Sequence, residues 1–230
     1  MKKFQIDQCA NVKNFLQHIY VVHFEPLKDR RKQVEESLEP LRNIPTSWKI
    51  MNEETDLKAA NSFSVTFSST PKIFIALQEL AVSLAHLEIY KEILREGYET
   101  CLIIEDDAIL GQTFFENIET ALRESKDYDF TFLSACCNLH VPRILPGLLQ
   151  ESSTSRSVCG YILRSNNLEN IIKACEPFVN VIDHHLNHIR QEFGLRYAWS
   201  EPPLIGAGSE STYGSNLHEV RLSTMKQRKT

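Results

Sequence analysis

Hydrophobic and polar positions follow two alternating patterns along the chain, one typical of strands and one typical of helices. Short apolar runs rich in β-branched and aromatic residues predict strands at residues 18–24, 48–50, 98–104, 128–134, 157–163 and 195–199. Apolar residues recurring every three or four positions predict helices at 30–41, 73–96, 114–124, 167–175 and from 178 onwards. Because strands and helices alternate, we expect an α/β fold whose mostly parallel central sheet is flanked by helices.

The longest predicted helix, residues 73–96, is apolar on two faces, so it should be packed deeply. His86 lies within its second apolar stripe. A histidine at such a position either has its hydrogen bonds satisfied within the core or contacts a substrate. The sequence leaves both interpretations open.

Three carboxylates, Glu105, Asp106 and Asp107, follow directly after the apolar run at 98–104. In open α/β sheets the ligand crevice opens at the carboxyl ends of the strands. Oxygen ligands at that position suit a hard divalent cation and a phosphorylated substrate. An extended chain would direct Glu105 and Asp107 to one face and Asp106 to the other. The alternative is that the two aspartates only cap a turn.

A basic pair, Arg30 and Arg31, follows the first predicted strand and lies in the first turn of a helix for which Asp29 is the predicted N-cap. Positive charges at a helix start oppose the helix dipole, so they do not stabilise the helix. An anion bound between the two arginines and the exposed amides would account for their position. A solvated basic pair is the alternative.

Composition narrows the possible classes of protein. The net charge is −5, from 25 Lys and Arg against 30 Asp and Glu, which argues against a nucleic-acid-binding protein. No apolar run approaches the length of about 18 residues that a membrane span needs, and no secretory signal is recognisable. The 6 cysteines form no CxxC pair, which favours buried, reduced thiols. We expect a cytoplasmic protein with at most peripheral membrane contact.

Several other motifs are absent or incomplete. The chain has no glycine-rich dinucleotide or P-loop fingerprint and no Gly-x-Ser-x-Gly elbow, which argues against those classes of enzyme. His184 and His188 are spaced to share a zinc ion, but no further ligand is indicated nearby. We expect a lead-in at 1–17, a single domain at 18–215 and a flexible basic tail at 216–230.

Four stretches, taken in order, resemble one family. They are residues 19–31, residues 84–94, residues 97–108, and residues 159–163 with 181–183 and 203–204. The third is the most specific, since it contains Leu102-Ile103-Ile104-Glu105-Asp106-Asp107-Ala108. Together they resemble glycosyltransferase family 25, the lipooligosaccharide and procollagen galactosyltransferase-like enzymes.

The resemblance implies a GT-A fold and an inverting transfer of one hexose from a UDP-sugar, UDP-galactose or UDP-glucose. It implies a divalent ion, Mn²⁺ or Mg²⁺. The acceptor that we expect is a glycan, such as a lipid-linked saccharide in lipopolysaccharide biosynthesis, or another hydroxylated molecule. Carried over to this chain, it gives Glu105 and Asp107 as metal ligands. The substrate-binding residues that we predict are Arg30, Arg31, His86, Asp106, Gly160 and Tyr161.

Asp183 is the predicted catalytic base. An inverting transfer needs a carboxylate that takes the proton of the acceptor hydroxyl on the side opposite the leaving group. Asp183 is remote in sequence from the acidic stretch and lies off the apolar stripe of its helix, although it could instead cap that helix.

One departure from the family suggests another function. Ala85 stands where the family has a serine before the helix histidine. The alternative function is therefore a non-catalytic GT-A-like domain that binds a nucleotide sugar or a protein partner. A nucleotidyltransferase is less well supported, because the turn after the first strand has no glycine-rich phosphate loop.

Overall fold

The structure, a computed structural model, describes residues 9, 11–52, 77–134, 139–176, 178 and 180–208. The strands in this part of the chain are β1 (His18–Phe24), β2 (Thr46–Met51), β3 (Thr100–Glu105), β4 (Ala108–Leu110), β5 (Phe130–Phe132), β6 (Leu149–Ser152), β7 (Gly160–Arg164), β8 (Tyr197–Ser200) and β9 (Ile205–Ala207). The α-helices are α1 (Lys28–Leu38), α2 (Leu77–Glu96), α3 (Phe114–Glu124), α4 (Leu168–Ala174) and α5 (Ile182–Phe193).

Seven of these strands form the central sheet, in the order β2-β1-β3-β7-β5-β8-β6. Strands β2, β1, β3, β5 and β8 run in one direction, and only β7 and β6 run against them. The predicted α/β fold with a mostly parallel sheet flanked by helices is confirmed. Because β7 is antiparallel to β3, its first residues lie at the same edge of the sheet as the carboxyl ends of β1 and β3.

The sheet is buried on both faces, which explains why its strands read as continuous apolar runs. In β1, Tyr20 and Val22 face the core beneath α2, α4 and α5, while Ile19 and Val21 face the core beneath α1 and α3. Val12 and Leu16, from the segment predicted as a lead-in, pack into the second core. The expected limits of the single domain, 18–215, stay a prediction, and the tail at 216–230 lies outside the described residues.

The predicted helices form, with some changes at their ends. Helix α3 has the predicted bounds. The prediction that Asp29 caps α1 is wrong, because Asp29 lies inside the helix and Leu27 precedes its first residue. The carbonyl of Leu27 already accepts the N–H of Arg30 at 3.0 Å, which starts the helix earlier. The last helix begins at Ile182 rather than at 178. The first residues of the helix predicted at 73–96, and most of the connection before it, fall outside the described residues.

Three short strands were not predicted: β4, β6 and β9. Strand β6 lies between the strands predicted at 128–134 and 157–163, and β9 follows Pro202 and Pro203. Strand β4 follows the acidic stretch and pairs antiparallel with β9, with Ala108 opposite Ala207 and Leu110 opposite Ile205. This pairing brings the chain around residue 206 against the acidic stretch.

The described residues also bear on two expectations from composition. Cys9, Cys101, Cys159 and Cys175 are buried free thiols, as predicted, and Cys136 and Cys137 lie outside the described residues. None of the described helices combines the length and the apolar character needed to cross a bilayer.

Candidate active site

The acidic stretch lies where the sheet changes direction. Glu105 is the last residue of β3 and stands opposite Val22 of the parallel strand β1. Its N–H donates to the carbonyl of Cys159, just before the antiparallel strand β7, at 2.9 Å. Asp106 and Asp107 form the turn into β4. The three carboxylates therefore stand at the carboxyl end of a buried central strand, next to the carboxyl end of β1.

Asp106 is directed towards β1 and α1. Its Oδ2 accepts the N–H of Phe24 at 2.9 Å and lies 2.8 Å from Nδ1 of His23, which donates when it carries the ring proton. Its Oδ1 accepts from the guanidinium of Arg30 at 3.3 Å. Asp106 thereby ties the acidic turn to the end of the first strand and draws Arg30 to the site. The Arg30 side chain keeps 13% of its surface exposed.

Glu105 is directed to the opposite side, where a chain of buried polar groups ends on it. Its Oε1 lies 3.3 Å from Nε2 of His86, and Nδ1 of His86 lies 2.7 Å from the hydroxyl of Tyr161. That hydroxyl is 2.9 Å from the hydroxyl of Tyr90. His86, Tyr90 and Tyr161 are all 0% exposed. His86 therefore contacts the acidic stretch through Glu105.

Burial lowers the pKa of His86 to about 3, although the Asp183 carboxylate opposes that shift. The ring is therefore neutral near pH 7, with one nitrogen donating and the other accepting. If the Tyr161 hydroxyl donates to Nδ1, the Nε2–H of His86 is left to donate to the Glu105 carboxylate. This arrangement fixes the direction in which Glu105 points.

Like charges gather around Glu105. Burial raises the pKa of Glu105 well above its usual range, and the carboxylates of Asp107, Asp106 and Asp183 raise it further. Arg30 opposes the shift. Three other carboxylates thus act on Glu105 at this edge of the sheet, and a cation placed beside it would relieve the repulsion.

Asp183 lies in the first turn of α5, close enough for its charge to act on Glu105 and His86. The N–H of Ile182 donates to the hydroxyl of Ser83 at 3.0 Å, and Ser83 lies three residues before His86 on α2. This contact anchors the start of α5 beside the site. The Asp183 carboxylate also accepts the N–H of His184 at 2.8 Å, a local bond at a helix start of the kind that the sequence left open.

Asp107 contacts the thiol of Cys159, a residue that the sequence analysis did not connect with the site. The Sγ of Cys159 donates to Oδ1 of Asp107 at 3.2 Å. The N–H of Gly208, just after β9, donates to the carbonyl of Asp107 at 2.7 Å. Burial first, and then the carboxylates of Asp107 and Glu105, raise the pKa of the Cys159 thiol well above its usual range. The only signal in the sequence was that Cys159 begins the fourth family-like stretch.

Two of the predicted substrate-binding residues have other contacts in the structure. A Cβ on Gly160 would clash with Cδ1 of Ile205, so this glycine makes room for a side chain of the protein itself. Arg31 donates to Glu35 at 3.0 Å and lies 4.8 Å from the centre of the Trp48 ring. Arg31 therefore faces the outer side of α1 and β2, whereas Arg30 joins the acidic turn.

The side chains at the turn fit a divalent metal. Glu105, Asp107 and Cys159 each offer one ligand atom, and these atoms lie within 4.8 Å of one another. Carboxylate oxygens suit a hard ion such as Mn²⁺ or Mg²⁺, and the sulfur adds a softer donor. His184 and His188 are not part of this group of possible ligands, which is the one found in the described residues.

Comparison with known proteins agrees with the resemblance in the sequence. The family model for glycosyltransferase family 25 (LPS biosynthesis protein) matches residues 16–144, more than half of the chain. No curated protein is similar enough in sequence to match this chain.

Solved structures with a similar fold include a glycosyltransferase involved in the glycosylation of the major capsid of PBCV-1, with 9% identity over 87% of this chain and 96% of that one at a TM-score of 0.46. A197 from STIV has 12% identity over 80% of this chain and 81% of that one, with a TM-score of 0.41. Apo-UDP-glucose pyrophosphorylase has 11% identity over 86% of this chain and 77% of that one, with a TM-score of 0.40. These likenesses are too distant to carry an argument about activity.

Proposed function

Because the chain belongs to glycosyltransferase family 25, we propose that it moves one hexose, galactose or glucose, from a UDP-sugar to a glycan or lipid-linked saccharide acceptor with the help of a divalent metal. The observation that carries this proposal is that the carboxylates of Asp106, Asp107 and Asp183 all act electrostatically on Glu105, at the carboxyl end of β3. Such a cluster suits a site that takes up a cation together with the diphosphate bound to it.

Glu105 and Asp107 would hold the ion, Mn²⁺ or Mg²⁺, which when bound offsets the negative charge that develops on the departing nucleotide diphosphate. Arg30 would donate charge-assisted hydrogen bonds to the same phosphate oxygens. Its bond to Asp106 holds the guanidinium at the edge of the site while part of it stays exposed. The predicted role of Asp106 in substrate binding thus becomes an indirect one, through Arg30.

Asp183 would act as the general base. The acceptor hydroxyl oxygen attacks the anomeric carbon, its proton passes to the Asp183 carboxylate, and the bond from the anomeric carbon to the phosphate oxygen breaks with the electron pair leaving on UDP. The electrostatic effects of Asp183 on Glu105 and His86 support a position beside the acidic turn.

The burial of three predicted substrate-binding residues leads us to propose different roles for them. His86 and Tyr161 are 0% exposed, so we propose that they orient Glu105 rather than touch the sugar. Gly160 lets Ile205 pack against the start of β7, which holds Cys159 and Glu105 at the edge of the sheet.

Ligand-dependent unfolding tests the proposal. We expect UDP-galactose or UDP-glucose with Mn²⁺ to raise the unfolding midpoint, because a ligand that binds only the folded state stabilises it by about 2.7 kcal/mol at a hundredfold excess over its Kd. Asp107→Ala should abolish the metal-dependent part of the shift. Asp127→Asn, which removes an exposed carboxylate outside the cluster, is the control and should keep it.

The second measurement is an assay of sugar transfer or donor hydrolysis. Asp183→Asn should retain the ligand-dependent shift of the unfolding midpoint and lose turnover in this assay. No shift with any nucleotide would overturn the proposed function. A shift without turnover in the unmodified chain would favour the nucleotide-sugar-binding module. Release of pyrophosphate from a nucleoside triphosphate and a sugar phosphate would favour a nucleotidyltransferase.

A further inference from the structure

We propose that Cys159 is a third protein ligand of the metal at this site, so that the chain offers two carboxylate oxygens and one sulfur and favours thiophilic divalent ions such as Co²⁺, Zn²⁺ and Cd²⁺ over Mg²⁺. This inference rests on the proposed metal-dependent function. It goes beyond that function by assigning a ligand and a metal preference to this particular chain.

The backbone fixes Cys159 beside the acidic turn. Its carbonyl accepts the N–H of Glu105 at 2.9 Å, and the next residue, Gly160, stands opposite Ile104 in the antiparallel pairing of β3 with β7. Glu105 and Cys159, which are 54 positions apart in the sequence, are thus held side by side by the sheet. The pairing of β3 with β7 therefore brings Cys159, in the turn just before β7, next to the acidic turn.

The side chain of Cys159 points at the carboxylates. Its Sγ lies 3.2 Å from Oδ1 of Asp107, and its other polar neighbour is the carbonyl of Gly206 at 3.9 Å. Cys101 offers a contrast, since it is buried in the apolar core beneath α2. A thiol is a weak hydrogen-bond donor, so a carboxylate gains little from it in the absence of a metal.

The ligand set suits a metal that takes part in a reaction. Catalytic sites commonly combine three protein ligands with an open position for water or substrate. Here the three ligand atoms of Glu105, Asp107 and Cys159 lie within 4.8 Å of one another, and Glu105 keeps 23% of its side chain exposed. That exposed side would leave room for the phosphate oxygens of a donor.

Metal uptake at Cys159 is a simple exchange. The S–H proton is released to the solvent, and the sulfur lone pair binds the ion in its place. The Oδ1 of Asp107, which had accepted that proton's hydrogen bond, is then available to the same ion. Thiolate ligands favour Co²⁺, Zn²⁺ and Cd²⁺, whereas Mg²⁺ favours oxygen ligands in a regular octahedron.

The test is a titration of the full chain with Co²⁺ under reducing, oxygen-free conditions, read by absorption. A thiolate ligand gives a sulfur-to-cobalt charge-transfer band in the near ultraviolet. We expect the band in the unmodified chain and in Cys9→Ala, which removes a cysteine remote from the acidic turn, and we expect no band in Cys159→Ser. We also expect Cys159→Ser to weaken Cd²⁺ binding by about tenfold or more and Mg²⁺ binding by less than about twofold.

A second measurement needs no variant and covers the case in which Cys159→Ser fails to fold. X-ray absorption of the zinc-loaded unmodified chain should show a sulfur neighbour at about 2.3 Å. Oxygen and nitrogen neighbours alone, or a cobalt band that persists in Cys159→Ser, would overturn the inference. Metal-dependent transfer without any sulfur ligation would overturn the inference and leave the proposed function standing. Failure of Mn²⁺ and Co²⁺ alike to bind would overturn the metal-dependent function and the inference with it.

Discussion

Two glutamates lie at the same edge of the sheet in opposite electrostatic surroundings. Glu105 ends β3 among carboxylates, and Glu201 directly follows β8, a strand that runs in the same direction. The Glu201 carboxylate accepts hydrogen bonds from the buried guanidinium of Arg156 at 2.8 Å and from the N–H of Val141 at 3.2 Å. The pKa of Glu105 is instead raised by burial and by its acidic neighbours.

The difference separates an acid that holds the fold together from acids to which the proposed function assigns a bound metal. Arg156 also donates to the carbonyls of Leu139 and Ser200 and lies 4.8 Å from the ring centre of Trp199. The positive charge that Glu201 needs is thus part of the chain. The cluster around Glu105 gathers like charges instead, which costs stability and is most easily understood if a cation and a charged substrate complete the site.

The largest effect on stability is expected at the pair formed by Glu201 and Arg156. Arg156→Met should lower the free energy of unfolding by about 3–5 kcal/mol, because it leaves Glu201 buried without its counter-charge. Urea denaturation measures this change. The control is Arg123→Met, which breaks an exposed pair with Glu119 and should cost less than about 1 kcal/mol. Equal losses in the two variants would mean that the Glu201 pair is no more important to the fold than a surface contact.

At the acidic turn the same kind of change should affect activity and leave stability intact. Asp107→Asn should lower metal-dependent transfer by more than about a hundredfold, which is about 2.7 kcal/mol of transition-state stabilisation. It should not lower the free energy of unfolding of the metal-free protein, because one of the mutually repelling charges is removed while an oxygen remains to accept from Cys159. Steady-state transfer rates and urea denaturation measure the two effects. A large loss of stability would show that Asp107 serves the fold as Glu201 does.

The buried hydrogen-bonded side chains behind Glu105, those of His86 and Tyr161, should affect metal affinity to an intermediate degree. Tyr161→Phe removes the hydroxyl that holds His86, and we expect metal affinity to fall by about 10- to 100-fold because Glu105 loses its fixed orientation. Isothermal titration with Mn²⁺ measures this. The matched control is Tyr197→Phe, which removes a buried hydroxyl bonded to the carbonyl of Leu186 at 2.7 Å, away from the acidic turn. Both variants should lose about 1 kcal/mol of stability, but only the first should lose metal affinity.

What could be predicted from the sequence was mostly local. Helix α3 and strand β1 were predicted with their observed bounds, because α3 carries a clear helical periodicity and β1 is a continuous apolar run that ends shortly before Pro26. Strands β4 and β9 are each only 3 residues long and are stabilised by each other across about a hundred positions of chain, so neither has a local signal. Their pairing is nevertheless what shapes the turn at Asp107.

In the candidate site, too, local features could be predicted from the sequence and long-range contacts could not. The alternation of an extended chain predicted that Asp106 would face away from Glu105 and Asp107, and the structure has this division, with Asp106 directed to β1. The role of Cys159 could not be predicted, because it depends on β7 running antiparallel to β3. The deep burial of His86 followed from the two apolar faces of its helix, but the groups that bond to it did not.

The smallest expected effect is the pH dependence of stability that a buried histidine outside the acidic cluster contributes. At this histidine the pKa is shifted mainly by burial, without the carboxylates that surround Glu105. The Nε2 of His185 donates to the carbonyl of Ala174 at 2.9 Å, and burial lowers its pKa to about 4. Since the unfolded chain has the ordinary value of 6.5, the unfolded state binds the proton first, and stability falls as the pH drops through 6.5 towards 4.

Between about pH 7.5 and pH 5.5 the free energy of unfolding should fall by about 1.4 kcal/mol more in the unmodified chain than in His185→Gln. His184→Gln, on the exposed face of the same helix, should keep the dependence of the unmodified chain, and urea denaturation at the two pH values measures all three proteins. The same dependence in His185→Gln would assign the acid sensitivity to other groups, the carboxylates at the sheet edge first among them.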